Sequence, residues 1–129
     1  MCLVLSKINR KNRQPLIASE DLVCYKILLD HRNLKAETLL TYYQETPVKL
    51  GRTYTSEFSY DRDGDVERGL HSYKNLRGAI IDEKDSFGRT IIVKCVIPKG
   101  SRYYQGKFDG KQSYACDRLT YVSVVRDLI

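Results

Sequence analysis

Residues 90–97 read Thr-Ile-Ile-Val-Lys-Cys-Val-Ile. Apolar β-branched side chains dominate this run, and Pro98-Lys99-Gly100 ends it abruptly. It is too short to cross a membrane as a helix. Such a run reads as a central strand. A chain with this strand must supply neighbours to pair it and layers to cover it. Residues 22–29, Leu-Val-Cys-Tyr-Lys-Ile-Leu-Leu, are the first candidate. There, Val23, Tyr25, Ile27 and Leu29 share one fully apolar face.

Further strands are expected over 2–8, 38–43, 52–59, 101–105 and 118–125. Within 52–59, Tyr54 and Phe58 share a face opposite Thr53, Thr55, Glu57 and Ser59, the alternation of a sheet with one solvated side. Residues 9–16, 45–51 and 106–112 read as loops, and Phe87-Gly88 as a turn. Ser72 is placed to cap a short helix over 73–83, with Tyr73, Leu76 and Ile80 on one face. Gly78 costs that helix about 1 kcal/mol relative to Ala. The expected fold class is α+β, a mainly antiparallel sheet of six to seven strands with one or two short helices.

The chain has 129 residues, 42% apolar and 29% charged. This is globular composition, and the length fits a single domain over 1–129. No apolar run approaches the roughly 20 residues of a membrane helix. The short apolar start precedes a basic cluster, the reverse of a signal peptide. A cytoplasmic protein with reduced thiols is therefore expected. Cys2, Cys24, Cys95 and Cys116 are widely spaced. They lack the paired spacing of a zinc site, with or without His31 or His71. Most sit among apolar neighbours, as small core residues do. No cofactor is expected.

The formal net charge of +6 hides its parts. Residues 57–67 are strongly acidic, whereas 89–118 and the loop carrying Lys7, Arg10, Lys11 and Arg13 are basic. Tyr103, Tyr104 and Tyr114 lie in the second basic stretch. Cations interleaved with aromatic rings suit stacked bases or a nucleotide; the plainer reading is a solvated face beside packed tyrosines. No RNP segment or GXXG loop is present.

Two motifs carry more specific chemistry. Asp61-Arg62-Asp63-Gly64-Asp65 copies the start of an EF-hand loop, making Asp61, Asp63 and Asp65 weak metal candidates. Val66 stands where the loop needs Gly, and Ser72 where it needs a bidentate Glu. At the end of the central strand, the turn carrying Lys99, Ser101, Arg102, Tyr103 and Tyr104 presents Lys, Ser and Arg together. Its backbone N–H groups can cradle an anion such as phosphate. Nucleophilic catalysis finds little: no G-x-S-x-G elbow and no Walker loop. His71, Ser72 and Tyr73, at a strand-to-helix junction, are the weak catalytic candidates. Cys95, mid-strand, is expected to be inert.

Four segments together resemble a pattern in small bacteriophage and gut Bacteroidota proteins. They are Val23-Cys24-Tyr25-Lys26, Gly69-Leu70-His71-Ser72-Tyr73-Lys74-Asn75-Leu76, Val93-Lys94-Cys95-Val96-Ile97-Pro98-Lys99-Gly100-Ser101-Arg102-Tyr103-Tyr104-Gln105-Gly106 and Tyr114-Ala115-Cys116-Asp117. The resemblance spans most of 22–125 and implies a phage or mobile-element origin, without an activity to carry over. The outline is also faintly similar to ADP-ribosyltransferases, through Tyr25-Lys26, His71-Ser72 and the 98–106 region in that order. Those enzymes need a glutamate on a late strand. Here the six Glu stand at 20, 37, 45, 57, 67 and 83, and only the shorter Asp109 and Asp117 lie near the turn.

The leading expectation is a non-enzymatic, phage-like binding protein acting in a host cytoplasm. It engages a host protein, a phosphate-bearing small molecule or nucleic acid through its basic C-terminal face. The alternatives are a small enzyme acting on a nucleotide such as NAD, with His71, Ser72 and Tyr73 near the chemistry, and a structural virion component.

Overall fold

The 90–97 segment has neighbours along both edges. In a computed structural model, which describes residues 3–5, 14–30, 39–41, 47–60, 65–84 and 89–127, it spans Thr90–Ile97. Leu22–Asp30 pairs antiparallel along its whole length, from Thr90↔Leu29 to Ile97↔Leu22. Arg118–Asp127 pairs on its other edge.

The strands are β1 (Val4–Leu5), β2 (Leu16–Ile17), β3 (Leu22–Asp30), β4 (Leu39–Thr41), β5 (Pro47–Val48), β6 (Thr53–Thr55), β7 (Ser59–Tyr60), β8 (Val66–Arg68) and β9 (Leu70–Tyr73). Helix α1 (Leu76–Lys84) follows, then β10 (Thr90–Ile97), β11 (Arg102–Phe108), β12 (Lys111–Cys116) and β13 (Arg118–Asp127). The main sheet has eleven strands among the described residues, in the order β1-β11-β12-β9-β3-β10-β13-β6, with β2 on β11, β4 on β3 and β5 on β4. Every pairing is antiparallel. Strands β7 and β8 form a separate pair, bridged to Leu3 through Val66.

The antiparallel α+β expectation holds in outline. The sheet exceeds six to seven strands for two reasons. Several strands are two or three residues long, below what an alternation pattern resolves. And β12, at Lys111–Cys116, falls partly in the 106–112 stretch read as a loop and partly in residues 113–116, for which no strand was expected. There Asp109 and Gly110, at φ 50° and 78°, make a two-residue turn that pairs Phe108 with Lys111. Asp-Gly is a strong hairpin signal.

Connectivity forces the sheet to curl. Only Asp117 separates β12 from β13, so Cys116 and Arg118 lie within about 7 Å. Yet β9, β3 and β10 lie between the two strands in the sheet, a separation of about 19 Å if flat. The inner face of the curl carries the principal core, with Cys24, Leu28, Val93, Cys95, Tyr114, Cys116, Leu119 and Tyr121. Helix α1 covers part of the outer face, where Ala79 packs with Ile27, Tyr73 and Ile92. A third cluster joins Leu3, Val66, Tyr104 and Ala115.

Two local expectations are corrected. Ser72 and Tyr73 belong to β9 and are buried, so Ser72 does not cap the helix, which begins after Asn75. And the face of β3 carrying Val23 is not the one turned to the main core. Val23 is 45% exposed, whereas Cys24 and Leu28 are fully buried. The polar Lys26 between them hid that face from the hydrophobic pattern.

Candidate functional site

The turn after β10 holds its own backbone closely. Lys99 N–H donates to Asp21 Oδ1 at 2.8 Å and Arg102 N–H to Asp117 Oδ1 at 3.0 Å. Gly100 N–H donates to the Ala18 carbonyl at 2.8 Å and Ser101 N–H to the Pro98 carbonyl at 3.0 Å. All four amides of the expected anion cradle are thus engaged, two of them by carboxylates. What this turn offers an anion is side chains. Lys99 and Arg102 are exposed. Arg118 joins them, one guanidinium nitrogen lying 3.4 Å from where a Cβ on Gly100 would stand. Sequence reading missed Arg118, because only the sheet brings it back to a turn some 18 residues earlier.

The other members of that set lie elsewhere. Ser101 is fully buried, and its hydroxyl has no hydrogen-bond partner. Tyr104 is buried too, its hydroxyl 2.6 Å from that of Tyr60 and its ring edge-on to Phe58. Burial pushes its pKa up. Tyr103 is half-buried and packs edge-on against Tyr114. The five residues do not form one surface. Nor do the cations of 89–118 form one patch. Arg89 pairs with Asp30 at 3.9 Å, and Lys111 with Asp82 and Asp109 at 2.5 and 3.1 Å.

A second constellation lies on the inner face of the curl. Lys26 extends from β3 and donates through Nζ to the His71 carbonyl at 2.7 Å. The buried thiols of Cys24, Cys95 and Cys116 surround it. Burial drives the Lys26 pKa below the ordinary lysine value. Burial also pushes the Cys24 thiol up to about 11, although the Ser72 hydroxyl and Lys26 pull the other way, and it raises Cys95 and Cys116. Cys116 Sγ donates to the Leu70 carbonyl and Cys95 Sγ to that of Val93. These are protonated core thiols, as expected for Cys95.

The three weak catalytic candidates diverge. His71 Nδ1 lies 3.1 Å from the Gly69 carbonyl. A carbonyl only accepts, so Nδ1 carries the hydrogen and Nε2 the lone pair. That Nε2 is buried without a partner. Burial, then the charge of Lys26, lower the His71 pKa to about 4, against the Gly69 and Val66 carbonyls. Ser72 faces the interior, its hydroxyl against the Cys24 thiol. Tyr73 points the other way and donates to Asp82 Oδ2 at 2.5 Å. No nucleophile–base pair joins the three.

Asp61 and Asp63 lie outside the described residues, as do His31, Phe87 and Gly88. Asp65 is half-buried just before β8. Among the described residues no cluster of His, Cys, Asp or Glu is arranged to hold a metal ion, and no helix is long and apolar enough to cross a membrane. In comparisons with known proteins, no family model, curated protein or solved structure matches the chain.

Proposed function

We infer that the chain is a non-catalytic binding module for a phosphate-bearing partner, engaged by the side chains of Lys99, Arg102 and Arg118. One observation carries this reading. The Arg118 guanidinium lies against the turn that carries exposed Lys99 and Arg102, and none of the three makes an ion pair among the described residues. Nearby Asp21 and Asp117 are committed to backbone amides, which fixes the turn that presents the cations. Recognition through side chains alone favours a flexible polyanion over a single cradled phosphate. The resemblance to phage proteins fits a partner in a host cell.

The test uses a fluorescein-labelled oligothymidine of about 20 nucleotides and the triple variant Lys99→Ala/Arg102→Ala/Arg118→Ala. Fluorescence anisotropy at 50 and 200 mM salt should show salt-sensitive binding by the parent chain. The variant should bind at least tenfold more weakly. Its salt slope should fall by about 2, near 0.7 for each phosphate that is no longer neutralised. Equal affinity for the two proteins would remove this reading.

A further inference from the structure

The basic turn adjoins a part of the outer sheet face that helix α1 leaves uncovered. Val23 pairs with Val96, Val96 with Thr120, and Thr120 with Thr53, so four strands set one rung of side chains in line. Cys95 and Ile97, on either side of Val96, belong to the principal core. Alternation therefore turns the rung outward. The cluster under α1 takes in Tyr25, Ile27 and Ile92 but none of these four. Val23 and Thr53 are exposed, and Val96 and Thr120 are half-buried. The rung is three strand spacings wide, about 14 Å, and carries only short valine and threonine side chains.

Cations flank this shelf on both sides. Arg118, two residues before Thr120 and so on the same face, lies against the turn that carries Lys99 and Arg102. Lys94, two residues before Val96, stands on the opposite side, because β10 and β13 run antiparallel. Neither Arg118 nor Lys94 makes an ion pair among the described residues. The outward side chains of the shelf and of its two flanking rungs, Arg118↔Thr55 and Tyr25↔Lys94↔Ser123, include no acid. Asp21 and Asp117, at the turn, are held to backbone amides. The shelf also offers polar contacts. Thr53 Oγ1 lies 2.7 Å from Thr120 Oγ1. One hydroxyl hydrogen spans that pair, which leaves the second hydrogen and the remaining lone pairs to a ligand.

We propose that the phosphate-bearing partner is a single-stranded nucleic acid whose bases lie on the Val23–Val96–Thr120–Thr53 shelf, while Arg118, Lys94 and the basic turn hold its phosphates. This rests on the reading of the turn as a polyanion site and names the polyanion. A flat, largely apolar bed between cations matches a ligand that carries planar rings along a charged backbone. An acidic peptide supplies the charge but has no ring for the shelf. A duplex keeps its base faces stacked inside, so only an unpaired strand presents them. Valine and threonine methyl groups make apolar contact with the thymine methyl, and the two threonine hydroxyls meet a base edge.

The test compares fluorescein-labelled oligothymidine with an abasic chain of equal length and phosphate number, by anisotropy at 50 and 200 mM salt. The intact protein should bind oligothymidine about tenfold more tightly, the equivalent of burying roughly 55 Å² of apolar surface. Both ligands weaken with salt, but their ratio should hold, because they carry the same phosphates. Equal affinity for the two would overturn the shelf and leave the polyanion site standing. Failure of both to bind would overturn the two readings together. A Val23→Ser/Val96→Ser variant should lose most of the ratio while keeping its affinity for the abasic chain, and an unchanged ratio would count against the shelf. If it fails to fold, Val23→Ser alone, at an exposed position, should lose part of the ratio. Polyglutamate of equal charge should displace oligothymidine poorly; displacement as effective as that by unlabelled oligothymidine would overturn the assignment to nucleic acid.

Discussion

Tyr73 and Asp82 tie the helix to the sheet: the tyrosine hydroxyl donates to Asp82 Oδ2 at 2.5 Å, while Asp82 Oδ1 takes Lys111 Nζ at the same distance. One carboxylate on α1 thus binds both β9 and β12. Tyr73→Phe should destabilise the protein by about 1.5–3 kcal/mol, the range for a hydrogen bond to a charged group. Asp82→Asn should cost a similar amount, and the double variant less than the two together. Urea midpoints measure all three. Strict additivity would mean that the two groups do not act as a pair.

Tyr60 and Tyr104 share a hydrogen bond between very different environments. Tyr60 is 48% exposed and Tyr104 is 1% exposed. Tyr60→Phe leaves a buried hydroxyl without its partner, at a cost of about 1–3 kcal/mol. Replacing both residues by Phe removes donor and acceptor together, so the double variant should recover most of that loss. Thermal unfolding of the three variants reads the difference. A double variant weaker than either single one contradicts the expectation.

Stability should fall in mild acid because of His71. Its pKa is about 4 in the folded chain against 6.5 for an ordinary histidine. Between those values the unfolded chain holds the proton and the folded chain does not. The contribution is therefore complete above pH 6.5 and lost as pH drops toward 4, about 3 kcal/mol in total. A His71→Gln variant should lack this component, leaving a shallower dependence from carboxylates alone. Parallel curves for parent and variant between pH 7 and 4.5 would rule it out.

Gly100 adopts φ +88°, where an L side chain is strained. Gly100→Ala should cost about 1 kcal/mol or more, read from the urea midpoint; an unchanged midpoint contradicts this. The cost should be conformational, since the new Cβ meets only the far end of the Arg118 side chain at 3.4 Å.

Asp21→Asn with Asp117→Asn keeps the acceptor oxygens on the Lys99 and Arg102 amides but removes two negative charges beside the basic turn. Oligothymidine should then bind severalfold more tightly at 50 mM salt, and the gain should vanish at high salt. Weaker or unchanged binding at low salt argues against the proposed surface.

The long strands were legible because their residues pack locally as their pattern implies. Leu22–Asp30 and Thr90–Ile97 agree with the runs read from sequence to within one residue. The hairpin at Asp109-Gly110 was read as a loop although its turn residues signal a hairpin, because its flanking alternation is broken by Gly106 and by polar Lys111, Gln112 and Ser113. The central lysine was not legible as a core residue. Polarity assigns Lys26 to solvent, and only the pairing of β3 with β10 turns it inward. The anion cradle misled for a related reason. A glycine-bearing turn signals free amides only if no distant acceptor reaches them, and Asp21 lies far back in the chain.

The long pairing of β3 with β10 also orders events in time. The β11–β12 hairpin closes through two residues and can form as soon as they are made. Strand β3 must wait, because Lys26 lies opposite Val93, far down the chain. During synthesis β4 and β9 can reach one edge of Leu22–Asp30 first, but the edge that β10 covers stays open to any other chain until Thr90–Ile97 emerges.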